Sequence, residues 1–205
     1  METKERILLK AHELFNRYGI RSVSMDDIAA QLGMSKKTLY QYYTDKDELV
    51  NAVFDLALQS NKGQCLDSRT QRDNAIHEVF LSFDMIREML VNMNPSLLFD
   101  LQKYHPTAFK KYLSFKNDFL YDIIRTNLEQ GIAEELYRPE IDVEVLTRYR
   151  LYSVMLAFDP EVFPENKTNL LQIEEELTEH FLYGLATAKG QKMIQKYKNQ
   201  RVKNK

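Results

Sequence analysis

Apolar residues recur along this chain with the period of a helix almost from end to end. Ile7, Leu8, Ala11, Leu14 and Phe15 fall three and four apart, which predicts a first helix over residues 2–18, stopped by Gly19. Two shorter patterns follow. Ser24 with Asp27 reads as a reciprocal cap, and Ile28, Ala29 and Leu32 give residues 24–32 an apolar face of barely two turns. Gly33 suits the sharp turn that must come next. Ser35 then caps a third helix over residues 35–41, in which Leu39 points inward while Lys36, Lys37, Thr38 and Tyr40 face outward. Thr44 with Asp47 repeats the cap-and-acid signal for a fourth helix over 45–62, carrying Leu49, Val53, Leu56 and Ala57.

The same period continues to the end of the chain. Ile76, Val79, Phe80, Phe83, Ile86, Met89 and Leu90 mark a helix that Asn94-Pro95 ends, and Leu97, Leu98 and Leu101 mark a short one. His105-Pro106 opens a longer helix running through Phe109, Tyr112, Phe115, Phe119 and Leu128 to Gly131. Residues 143–158 lie between Arg138-Pro139 and Asp159-Pro160, and residues 170–189 follow a turn-like stretch at 163–167. The expected class is all-α: a three-helix head followed by a helical body, with no internal repeat.

Two closely spaced short helices joined through a glycine, the second showing hydroxyls, lysines and a tyrosine, form the grammar of a helix-turn-helix. A plain helical subdomain whose hydroxyls are only caps is the competing reading. It leaves the exposed Ser35, Lys36, Lys37, Thr38 and Tyr40 surface unexplained.

The segment resembles the TetR family of bacterial transcriptional regulators. The resemblance covers about the first fifty residues: Ile7-Leu8, Ala11, Leu14-Phe15, Gly19, and SMDDIAAQLGMSKKTLYQYYTDKDEL over 24–49. Lys37 departs from the pattern, since many members carry a small residue there; an extra lysine suits a phosphate contact. The resemblance implies an all-helical homodimer, usually a repressor, with a variable effector-binding body. It also implies that Ser35, Lys36, Lys37, Thr38 and Tyr40 lie in or beside the major groove of double-stranded DNA, and that Tyr42, Tyr43 and Lys46 hold nearby phosphates. Ser24, at the start of the preceding helix, joins this set. Thr38 and Tyr40 suit base edges, whereas lysines position the helix. Two such heads would read a near-palindromic operator with half-sites roughly 34–36 Å apart.

Charge adds little. Residues 1–50 hold eight basic and eight acidic side chains, a balance that argues against indiscriminate coating of nucleic acid. The strongest basic run is Lys189, Lys192, Lys196, Lys198, Arg201, Lys203 and Lys205, read as a solvated, frayed terminus. The expected organisation is therefore a DNA-binding domain over 1–46, an effector-binding and dimerisation domain over 47–189, and a basic tail over 190–205. No apolar run approaches the roughly 20 residues of a membrane helix, so cytoplasmic residence is the default expectation. Cys65 alone forms no internal disulfide and reads as an incidental thiol.

In the family the last two large helices of each subunit pair across the dimer. Here Leu151, Val154, Met155, Leu177, Phe181, Gly184 and Leu185 are the candidates, with Gly184 permitting close backbone approach. Phe80, Phe83, Met89, Phe109, Tyr112, Phe115 and Phe119 supply aromatic and flexible sulfur surface suited to an apolar or aromatic effector, although most would serve equally as core.

Catalytic, cofactor and metal signatures are missing from the pattern. His12, His77, His105 and His180 lack metal-ligand spacing, no glycine-rich phosphate loop or nucleophile elbow occurs, and Glu174-Glu175-Glu176 reads as a solvated helix face. A helical small-molecule-binding protein or enzyme without specific DNA binding is the different-class alternative.

Overall fold

The computed structural model describes residues 2–91, 93–94, 96–159, 161–163 and 169–203. Pro95, Pro160, residues 164–167 of the expected turn, and Lys205 lie outside them. Eleven α-helices are described: α1 Thr3–Tyr18, α2 Met25–Gln31, α3 Lys36–Tyr40, α4 Lys46–Gln71, α5 Ala75–Val91, α6 Leu97–Tyr104, α7 Pro106–Ser114, α8 Tyr121–Ala133, α9 Val143–Leu156, α10 Leu170–Leu185 and α11 Ala188–Lys203. A π-helical segment, Phe115–Leu120, joins α7 to α8, so the long helix expected from Pro106 changes register in its middle.

The chain divides into two compact units, Met1–Lys62 with Asn92–Phe115, and Gly63–Val91 with Lys116–Lys205. In the first, α1 buries Ile7, Ala11, Leu14 and Phe15 on one stripe. Met25, Ile28 and Ala29 of α2, Leu39 of α3, and Leu49, Val50 and Val53 of α4 complete that core. Leu97 and Leu101 of α6 and Ala108 of α7 belong to it as well. The segment is tied down by polar contacts: Asp100 accepts from the Arg21 N–H (3.0 Å), His105 Nδ1 lies 2.7 Å from Asp47 Oδ1, and Lys111 donates to Asp55 (2.6 Å). The head thus recruits residues far beyond the boundary at 46 that local pattern suggested, because nothing in α6 announces which core it joins.

Three boundaries shift for local reasons. Asp45, rather than Thr44, caps α4: its Oδ1 accepts from the Glu48 N–H (2.8 Å), and Glu48 reaches back to the Thr44 N–H (2.7 Å). The helix then runs nine residues past Lys62. Gly131 does not stop α8. It lies inside the helix beneath the Tyr137 ring, where an added Cβ would stand 2.0 Å from a ring carbon. The helix expected over 170–189 breaks after Leu185, where Ala186 is extended and bridges to Tyr137. Thr187 Oγ1 restarts the helix by accepting from the Gly190 N–H (3.1 Å).

In the second unit α5 packs on α8, α10 and α11, and α9 packs on α8 and α10. Ala75, Ile76, Leu128, Tyr137, Phe181 and Leu182 lie at its centre. The basic stretch from Lys189 is part of a helix, not a frayed end. Ile194 and Tyr197 are buried, Lys198 pairs with Glu179, and Arg201 with Asp84. The acidic triplet also needs correction, since Glu174 is fully buried while Glu175 and Glu176 are exposed. Among the described residues no helix is long and apolar enough to cross a membrane.

Candidate nucleic-acid interface

The α2–α3 pair is built from its caps outward. Ser24 Oγ accepts from the Asp27 N–H (3.1 Å), and Asp27 Oδ2 accepts from the Ser24 N–H (2.8 Å) and hydroxyl (2.6 Å). These bonds hold the Asp27 carboxyl below its ordinary range and spend both donors of Ser24 on the fold. Gly33 takes φ +65° with open space beside it, so backbone conformation is what requires glycine there. Ser35 Oγ then accepts from the Thr38 N–H (3.0 Å) and lies 2.8 Å from Thr38 Oγ1, starting a helix of only five residues.

Such a helix has no stability of its own. It is held by Leu39, which is fully buried against the α1–α2 core. With Leu39 fixed inward, Ser35, Lys36, Lys37 and Tyr40 are exposed and Thr38 is half-buried. Lys36 Nζ stands 2.8 Å from Asp26 Oδ1 and 5.8 Å from the Tyr40 ring centroid. The hydrogen bond from Lys36 to Asp26 raises the lysine pKa, with Asp26's charge acting in the same direction. Among the described residues of α3, Lys37 carries no ion pair, which leaves it available to a phosphate. Gln41, exposed between Tyr40 and the exposed Tyr42, belongs to the same surface; a lone glutamine in a turn gave no sequence signal.

Two expected phosphate contacts are built differently. Tyr43 is 2 % exposed and packs in the head core, with its hydroxyl buried. It cannot present that group to a backbone outside the protein. Lys46 donates to the Ile20 carbonyl (2.6 Å), tying α4 to the loop after α1. Burial lowers its pKa, opposed by the charges of Asp100 and Asp27. The sequence shows a tyrosine run and a lysine, but not which ring turns into the core.

The other candidates separate. Phe109, Tyr112 and Phe115 fall in the first unit, and Phe80, Phe83, Met89 and Phe119 in the second, so neither unit gathers the seven into one lining. Of the dimer candidates, Leu151, Phe181 and Leu185 are buried within the chain itself, whereas Val154, Met155 and Leu177 are half-buried. Gly184 is exposed with open space beside it, so no close approach among the described residues accounts for it. The outward stripe of α9 is instead Val145, Tyr149, Tyr152 and Leu156, between 42 % and 57 % exposed. Among the described residues no group of three or more His, Cys, Asp or Glu side chains could hold a metal ion.

Comparison with known proteins agrees with this geometry. The family model for bacterial regulatory proteins of the TetR family matches residues 7–53. An HTH-type transcriptional regulator of Bacillus subtilis, YvaF, is 27 % identical over 188 residues, covering 88 % of this chain and 94 % of its own length. A transcriptional regulator from Cytophaga hutchinsonii shares the fold with a TM-score of 0.68 at 22 % identity, over 89 % of this chain and 98 % of that one. A TetR regulator from Chloroflexus aurantiacus gives a TM-score of 0.67 at 21 % identity, over 87 % and 91 %. Residues 7–53 thus carry the DNA-binding head motif of the TetR-family bacterial regulatory proteins, and the fold carried through both units is the one those solved regulators have.

Proposed function

We propose that this regulator acts as a homodimer whose two α3 helices read the half-sites of a near-palindromic operator, and that a small molecule bound in the body releases it from DNA. The observation that carries the reading is α3 itself: Leu39 anchors it, and Lys36, Lys37, Thr38 and Tyr40 are left on one outward edge. A five-residue helix reaches too few base edges for a long site, so pairing with a second copy supplies the missing length. The exposed apolar stripe Val145, Tyr149, Tyr152 and Leu156 on α9, at spacings of four, three and four, supports a helical partner there. Lys37, Gln41 and Tyr42 serve phosphates, and Thr38 with Tyr40 serves bases.

For release, the ligand must prefer one arrangement of the heads over the other. α4 belongs to both units by its sequence, which supports it as the covalent route between them. Repression is the mode in which a dissociating ligand switches genes on. The test is selection of bound sequences from randomised duplex DNA. A two-fold symmetric consensus is expected, and Thr38→Ala should relax base preference where Lys37→Ala weakens all duplexes alike. Recovery of no consensus, or of one indifferent to Lys36, Thr38 and Tyr40, overturns the reading.

A further inference from the structure

The first unit carries a second exposed surface, outside the α3 edge. At the end of α1 the Arg17 guanidinium carbon lies 5.2 Å from the Tyr18 ring centroid. On α6, Lys103 Nζ lies 5.3 Å from the Phe99 centroid and 5.4 Å from that of Tyr104. Arg21, in the loop after α1, reaches the same Tyr104 ring at 5.6 Å. The two stretches of chain are joined by the Asn94 N–H, which donates to the Asn16 carbonyl (2.6 Å), and by the Arg21 N–H, which donates to Asp100 (3.0 Å). All three rings are between 41 % and 58 % exposed. Arg17, Arg21 and Lys103 are exposed too, and have no ion pair among the described residues, whereas Lys10 and Lys36 of the same unit pair with Glu13 and Asp26. The sole acid of residues 17–24 and 96–104 is Asp100, which is buried and spent on the Arg21 N–H. The face is therefore locally positive, although the charges of residues 1–50 balance.

We propose that Arg21 and Lys103, gathered at the Tyr104 ring, form a clamp on the sugar-phosphate backbone of duplex DNA flanking the segment that α3 reads. Continuity with the α3 surface carries the assignment. Tyr42 stands four residues before Lys46, the first residue of α4, and Lys46 donates to the Ile20 carbonyl (2.6 Å), next in sequence to Arg21. Four residues span at most about 14 Å, so the Arg21 loop stands beside the exit of α3. A duplex seated on α3 offers one phosphate per about 3.4 Å of axis on each strand, which brings backbone within reach of that loop. Two like charges gathered at one ring repel each other, and a phosphate between them relieves the repulsion. The ring also holds both cations ready, so little side-chain freedom is lost on contact. Because the cations lie over the ring faces, those faces are poorly placed to enter a lipid. A backbone contact carries no sequence information; it adds affinity and fixes register.

The clamp rests on the operator reading above for where the duplex lies. Its test is fluorescence anisotropy of the full-length protein on the selected duplex across salt concentrations. The duplex either ends at the consensus or carries about one further helical turn, roughly 10 bp, on each side. The parent should bind the longer duplex more tightly. Arg21→Gln combined with Lys103→Gln should weaken that binding by about threefold or more and lower the salt slope by about 2. Both differences should vanish on the trimmed duplex, and the consensus should not change. Tyr104→Leu should lose part of the advantage that Tyr104→Phe keeps. These side chains are exposed and outside the head core, so substituting them leaves that core intact. An unchanged salt slope in the double variant, an equal loss on the trimmed duplex, no advantage of the longer duplex in the parent, or parental binding by Tyr104→Leu each overturns the clamp. So does attachment to phosphatidylglycerol vesicles that needs Arg21 and Lys103 while DNA binding does not, which would assign the face to a membrane. A consensus recovered alongside such a failure sinks the clamp alone. Recovery of no consensus sinks the operator reading alone, and the double variant's salt slope on an unselected duplex still tests the clamp.

Discussion

In the head, Ser24, Asp27, Ser35, Asp45 and Glu48 sit on the surface and spend their polar atoms on helix ends a few residues away. The second unit takes charge out of water. Glu78, 2 % exposed, faces Arg72 and Arg69 from the end of α4 and accepts from Asn127 (3.0 Å), which in turn accepts from Tyr137 (3.2 Å). Between α9 and α10, Arg150 donates to Thr178 (2.9 Å), but both Glu174 oxygens, Arg150 Nη1 and Thr147 Oγ1 have no hydrogen-bond partner among the described residues. Local caps fix short helices at modest energies. Buried charges couple distant helices strongly, and they penalise any arrangement that leaves one unpaired.

The contrast can be broken most sharply at Glu78. Glu78→Ala leaves Arg69 and Arg72 without their shared carboxylate and should cost about 3–5 kcal/mol in chemical denaturation. An effect no larger than that of a surface pair would remove the distinction between the units.

Glu174 gives a smaller effect with a sign set by pH. Burial pushes its carboxyl up to about 7, opposed by the charge of Arg150. The folded protein therefore holds a proton that the unfolded chain releases near the ordinary glutamate value. Stability falls as pH rises through that interval, and the penalty is complete above about 7. Glu174→Gln should accordingly be more stable than the parent by about 2–3 kcal/mol at pH 8, with the gain vanishing near pH 4. Thermal melts across pH 4–8 measure it, and a variant less stable at pH 8 would show that the ionised carboxylate is needed.

The smallest change is expected in the head. Ser35→Ala removes the cap of α3 and should cost about 1 kcal/mol in thermal unfolding. Affinity for the selected duplex should fall further than stability does, because α3 frays where it must stay rigid. Equal affinity would mean that Leu39 alone orders the helix.

Legibility followed the same division. Leu39, Ile28, Gly33 and the serine caps were readable because each acts on neighbours within four residues. The burial of Tyr43 was not readable because a ring in a tyrosine run looks alike whether it faces solvent or core, and the Lys46 bond was not because its acceptor, Ile20, is 26 residues away. Glu174 looked like one of three solvated acids, yet only its place on the inner face of α10 takes it out of water. Phe181 and Leu185 carried the right hydrophobicity for an interface and went to the chain's own core, leaving Tyr149 and Tyr152 outside.

By itself, the amino-acid order determined most of the helices, the caps of α2 and α3 and the outward edge of α3, since hydrogen bonds and side-chain period operate within one or two turns. Only tertiary packing decided that α6 completes the head core, that Gly131 lies under Tyr137, and that the basic run becomes a helix holding Arg201 over Phe80 and Phe83. Those outcomes depend on which apolar faces meet across tens of residues of chain. Hydrophobic attraction has no direction of its own, so the faces are matched by shape and by the cost of stranding a charge.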